Sequence, residues 1–159
     1  MSSSTNDDLD RLRRAVARRH HLAGWSLLLV FLGLGAFLEF LHGFKYGFYL
    51  DLEHRVRREM WRLAHAHGTL MGLIQIGFAL SVTKFGRWTS GRVKLVSFFL
   101  IDAAVLIPLG FFLGGLFPSE ADPWLGILLV PPGALLLLVA VVLIIHSAYQ
   151  DTDQPGSEA

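Results

Sequence analysis

Long apolar runs alternate with short polar segments along this 159-residue chain. The runs cover roughly 21–44, 61–83, 93–117 and 124–149. Each matches or exceeds the ~20 residues with which a helix crosses a bilayer core of ~30 Å. With no water in that core, backbone groups must bond within their own segment, so helices are predicted. The pattern therefore predicts an all-α integral membrane four-helix bundle with short loops and antiparallel neighbours. Residues 21–149 form one transmembrane domain, 1–20 a basic cytoplasmic tail and 150–159 an acidic, disordered C-tail.

The polar segments carry finer patterns. In the tail, Leu9, Leu12 and Val16 recur at helical spacing, and Arg11, Arg13, Arg14, Arg18 and Arg19 occupy the other faces. A short amphipathic helix on anionic lipid headgroups would look like this, and so would a solvated basic flank that only sets topology. In the first loop Leu52, Val56 and Met60 recur every fourth residue among charges, which predicts an interfacial helix. Pro108 is expected to kink the third span, and Pro131-Pro132-Gly133 to break or bend the fourth. The pairs Gly43/Gly47, Gly68/Gly72 and Gly110/Gly114 allow close helix approach.

Composition narrows the function classes. A chain that is 53% hydrophobic, with the residues outside the runs split among segments of 20 or fewer, has no room for a second folded domain. A net charge of +1 gives no reason to expect nucleic acid, and zero Cys excludes disulfides, Fe–S ligation and thiol chemistry. The first run is longer than a signal-peptide core of ~7–15 residues, so it is expected to stay as a helix. The arginine-rich tail joins Lys84, Arg87, Arg92 and Lys94 on one side, and they outnumber Lys45, Arg55, Arg57, Arg58 and Arg62 on the other. Positive-inside bias then places both termini in the cytoplasm, with the protein in a bacterial inner membrane. Trp61, Trp88 and Trp124 fall at helix ends, where an aromatic belt would put them.

Candidate chemistry lies in the ionisable residues that interrupt the runs, because a charge at mid-bilayer costs ~2.5–3.5 kcal/mol on insertion scales. At about 100° per residue, His65 shares a small, polar face with Gly68, Thr69, Gly72 and Gln75. His67 lies about 200° away, among Met71, Ile74 and Phe78. Glu39 and His42 share one face of the first span, beside Gly35, Ala36 and Gly43. Glu39, His42 and His65 are therefore expected in one layer of the outer leaflet. Two imidazoles and a carboxylate could hold iron, copper or zinc with open positions, and two histidines on facing helices could ligate a haem. The same residues could form a structural polar network or simply reach the interface. Deeper in, Gln75 and Asp102 sit at similar depth, with His146 near the cytoplasmic end. The series from Glu39 to His146 could be a proton or ion path, or unrelated polar contacts.

The segment His67-Gly68-Thr69-Leu70-Met71-Gly72 resembles part of the second helix of haem-copper oxidase subunit I. That resemblance implies an axial haem ligand at His67. It covers about seven residues, and the family's further helices and copper-binding histidines have no counterpart. The chain also resembles small bacterial four-span membrane proteins with a His-x-His near a helix start. The membrane glutathione-transferase family shares the four-span format, but its Arg-x-x-x-Asn-x-x-Glu pattern is missing after Arg62.

The sequence thus points to a small redox-associated membrane protein holding a haem or one transition metal through His42 and His65. Glu39 is a third ligand or orienting partner, and His67 the reserve ligand for haem. A membrane scaffold or accessory subunit, homo-oligomeric or bound to a membrane partner, and a conduit using Asp102 are the alternatives. No arrangement for nucleophilic catalysis is visible.

Overall fold

A computed structural model describes residues 2–50, 55–119 and 122–152. Helix α1 spans Ser2–Gly43, α2 is the single turn Gly47–Leu50, and α3 spans Arg55–Lys84. Helix α4 spans Ser90–Gly114, and a 3-10 turn at Leu125–Leu129 leads into α5, Val130–Thr152. All regular structure among the described residues is helical, and four helices are long and apolar enough to cross a membrane.

The predicted basic tail is not a separate helix. It is the first half of α1, whose 42 residues make a rod about 63 Å long. The reason is packing: Val16 is buried with Phe78, Val82 and Trp88, and Leu9 and Leu12 lean on the same cluster. Arg13 fixes the register by donating from Nε to the Val82 carbonyl at 2.7 Å. The predicted interfacial helix lies partly outside the described residues. Val56 and Met60 belong to α3, and Leu52 lies outside the described residues. Residues 150–152 continue α5, and the rest of the C-tail lies outside the described residues.

Sequence chemistry sets the helix boundaries. The Thr89 hydroxyl accepts from the Arg92 N–H and caps α4. Gly86, at φ +85°, makes the turn between α3 and α4, a conformation that favours glycine. Pro131 and Pro132 fall in the first turn of α5, where their missing N–H groups cost nothing and the 3-10 turn hands over to the α-helix.

Helix α1 lies along α3, α3 packs on α4, and α4 packs on α5. Helix α1 also touches α4, so α1, α3 and α4 pack as a three-helix group and α5 lies against the α4 side of it. From Arg13 through His20 and Gly24 to Phe31, the partners on α3 fall from Val82 through Gln75 and Gly72 to His65. At the closest crossing a Cβ on Gly24 would stand 2.7 Å from the Gly72 carbonyl oxygen, so both glycines are needed for that approach. The core has a lower cluster around Val82, Val93 and Leu100, a middle one around Met71 and Ile107, and an upper one around Leu38, Tyr49 and Trp61.

Two of the three tryptophans expected at a lipid interface are internal. Trp61 stacks on Phe112 and donates to its carbonyl at 3.2 Å, and Trp88 donates to the Phe85 carbonyl at 2.7 Å. Only Trp124 of the three is exposed.

Candidate functional site

At the upper end, where α1 ends and α3 begins, the two helices part around a cleft of about 990 Å³. Leu32, Leu38 and Leu63 form its apolar part, and Glu39, His42, Tyr49, Arg58, Arg62 and His65 its polar part. The three residues expected in one layer, Glu39, His42 and His65, thus line one space. They do not form a ready metal centre. Among the described residues no group of three or more His, Asp or Glu side chains is placed to hold a metal ion. Glu39 and His42 are exposed and have no hydrogen-bond partner among the described residues.

His65 is the best-positioned of the three. Its ring lies over Gly35 of α1, where any Cβ would collide with it. Its Nδ1 lies 2.6 Å from the Phe31 carbonyl oxygen. A carbonyl can only accept, so Nδ1 carries the proton and neutral His65 keeps its lone pair on Nε2. Phe31 is held in turn because its ring fills the space above Gly68. Gly35 on α1 and Gly68 on α3 therefore make room for the imidazole and for the residue whose carbonyl sets its tautomer.

The cleft's rim is built by two neighbouring arginines. Arg58 donates to the Tyr49 and Leu50 carbonyls at 3.4 and 3.0 Å, holding the end of α2. Arg57 donates to the Phe48, Gly115 and Leu116 carbonyls and lies over the Trp61 ring. It thereby satisfies carbonyls at the C-terminal end of α4, where a cation is favoured. Glu59 pairs with Arg55 at 3.0 Å. Arg62 is exposed and, among the described residues, bonds to nothing in the protein, leaving a free guanidinium at the cleft.

His67 points elsewhere, as its position about 200° around the helix predicts. Its Nδ1 donates to the Leu63 carbonyl at 2.9 Å, and its ring lies 4.7 Å from that of Phe111 on α4. The face it shares with Met71 and Phe78 is not a lipid face, however, since both of those residues are buried against α4.

The expected polar line from Gln75 through Asp102 to His146 is not joined. Gln75 is fully buried but donates to the Leu100 carbonyl at 2.7 Å rather than to Asp102. Asp102 is half-buried without a partner among the described residues, and His146 is exposed beside Gln150.

The residue that sequence reasoning missed is His20. It is the last residue of the basic tail, yet it is fully buried between α1, α3 and α4. Its Nδ1 bonds to Gln75 Oε1, and its Nε2 lies 2.6 Å from Ser97 Oγ. Arg19 donates to the same hydroxyl at 2.5 Å. One proton assignment satisfies every group: Arg19 donates to Ser97, Ser97 to His20 Nε2, His20 Nδ1 to Gln75, and Gln75 to the Leu100 carbonyl. These bonds tie α1, α3 and α4 together. The available signal was register, because His20 stands four residues from both Val16 and Gly24 on the buried stripe that continues to Leu28.

No protein-family model matches the chain, and neither a curated protein nor a solved structure matches it.

Proposed function

We propose that this is an integral membrane protein that binds a haem, or a comparable anionic tetrapyrrole, in the cleft between α1 and α3. The four helices cross the bilayer as antiparallel neighbours, with both termini on the cytoplasmic side of a bacterial inner membrane. The surplus of Arg and Lys at the lower end supports that orientation. One observation carries the ligand assignment: the Phe31 carbonyl holds the His65 proton on Nδ1, leaving the Nε2 lone pair on a ring that lines a large amphipathic cleft. A histidine oriented by its other nitrogen in this way is the usual form of a metal-ligating imidazole.

A haem suits the site better than a bare metal ion. The ion would need three or more protein ligands, which are not gathered among the described residues, whereas one or two imidazoles suffice to hold a haem iron. His65 would be the first ligand and His42 the second. Leu32, Leu38 and Leu63 would offer the apolar surface that such a group needs, and Arg62 would pair with its carboxylate. When bound, the group would supply one-electron chemistry, consistent with a redox-associated role.

Titration of hemin into the purified protein in mild detergent tests the reading. We expect about one equivalent to bind with a shifted Soret band. His65→Ala should abolish the shift, and Arg62→Ala should weaken binding. Equal binding by wild type and His65→Ala would remove His65 from the site.

A further inference from the structure

We propose that the face formed by α1 and α4 is the interface of a homodimer, in which Asp102 of one copy bonds to Ser26 of the other within the bilayer. The inference rests on the membrane reading above but not on the cofactor.

Asp102 lies in the middle of the exposed arc of α4. Leu95, Phe98, Val105 and Leu109 fall within about 60° of it around the helix, and all four are exposed. No side chain or backbone group among the described residues bonds to it. A carboxyl group directed at hydrocarbon without a partner is strongly unfavourable, so polar groups at this depth are found paired. The chain gives Asp102 no partner of its own; another membrane-embedded surface would.

The surface beside it is a shallow groove of about 270 Å³ between α1 and α4. Ala23, Leu27 and Val30 line it from α1, and Ile101, Ala104 and Val105 from α4. Its one hydroxyl belongs to Ser26, which is exposed and has no partner among the described residues. Helices α1 and α4 run in the same direction, since Arg19 and His20 meet Ser97 while Ser26 shares the groove with Ile101 and Val105. Ser26 and Asp102 therefore stand at one depth on either side of the groove.

That arrangement is self-complementary. A two-fold axis along the membrane normal preserves depth and exchanges left for right. It brings Ser26 of each copy to Asp102 of the other, giving two equivalent hydrogen bonds around two facing apolar grooves. A second copy is thus the partner that satisfies both unpaired groups at once. The outer face of α5 offers a contrast. Leu135, Leu138, Val142 and Ile145 expose no polar side-chain atom, and lipid alone suffices to cover them.

The absence of Cys makes the test direct, because any introduced cysteine is the only one. Val105→Cys in native-like membranes should cross-link chain to chain. Gly77→Cys, at an exposed and open position on α3, should not. In nanodiscs the wild type should be dimeric by mass. Asp102→Leu and Ser26→Ala should each raise the dissociation constant about tenfold or more, whereas Asp102→Asn, which can still bond to a hydroxyl, should keep the dimer. A monomeric wild type, a dimer indifferent to Asp102→Leu, or cross-linking through Gly77→Cys but not Val105→Cys would overturn the proposal. Carbonate washing separates the two readings. A chain that leaves the membrane fails the membrane reading, and a chain that stays but is monomeric fails only this inference.

Discussion

Replacing Gln75 with Leu tests whether the buried chain around His20 holds α1, α3 and α4 together. The substitution nearly conserves volume but removes two bonds: the acceptor for His20 Nδ1–H and the donor to the Leu100 carbonyl. Each buried group left unpaired costs ~1–3 kcal/mol. His20 can recover part of this by moving its proton to Nε2, which then donates to Ser97, and hydrogen bonds between membrane helices average nearer ~0.6 kcal/mol. We therefore expect a net loss of about 2–3 kcal/mol. Reversible unfolding in mixed detergent micelles, followed by circular dichroism, would measure it. The double variant His20→Leu/Gln75→Leu removes the stranded donor as well. It should be more stable than the sum of the single changes implies, by at least ~1 kcal/mol. A Gln75→Leu protein within ~0.5 kcal/mol of wild type, or strict additivity in the cycle, would show that the chain is not a tie between helices.

Three further substitutions probe the packing around the cleft. Gly35→Ala places a methyl group in the His65 ring and should displace the imidazole from the Phe31 carbonyl, lowering cofactor content in absorption spectra while helicity is kept. Gly24→Leu meets the Gly72 backbone and should push α1 from α3 at a cost of ~1–3 kcal/mol or more, seen as a lower unfolding midpoint. Arg57→Met strands carbonyls of Phe48, Gly115 and Leu116 and should destabilise the upper end by ~1–3 kcal/mol, with faster hydrogen exchange in α2 and at the end of α4.

Where hydrophobic periodicity alone decides the outcome, the sequence was informative. The length of the apolar runs identified all four long helices, and the wheel for α3 put His65 and His67 on different faces, both of which are packed, one against α1 and the other against α4. Glu39, His42 and His65 were foreseen together because helix ends joined by a short connection must lie at one level, and all three line the same cleft. The errors arose where a neighbouring helix altered the meaning of a pattern. The basic tail reads as a surface helix until Trp88 and Val93 cover its apolar stripe, and that covering also buries His20. Trp61 and Trp88 read as interfacial until Phe112 and Phe85 offer carbonyls to their indoles. The backbone bonds of Arg57 and Arg58 could not be foreseen, since every carbonyl looks alike in sequence and only the fold shows which ones lack a partner.

The central claim is that His65 carries a cofactor in the upper cleft. The most direct measurement is the absorption spectrum, from the Soret region to the near infrared, of protein purified without chelators, with elemental analysis of the same sample. The account predicts a Soret band and about one equivalent of iron in wild type, both lost in His65→Ala and both retained in His67→Ala. A well-folded wild type that is colourless and free of metal, or one whose band survives His65→Ala, would contradict it.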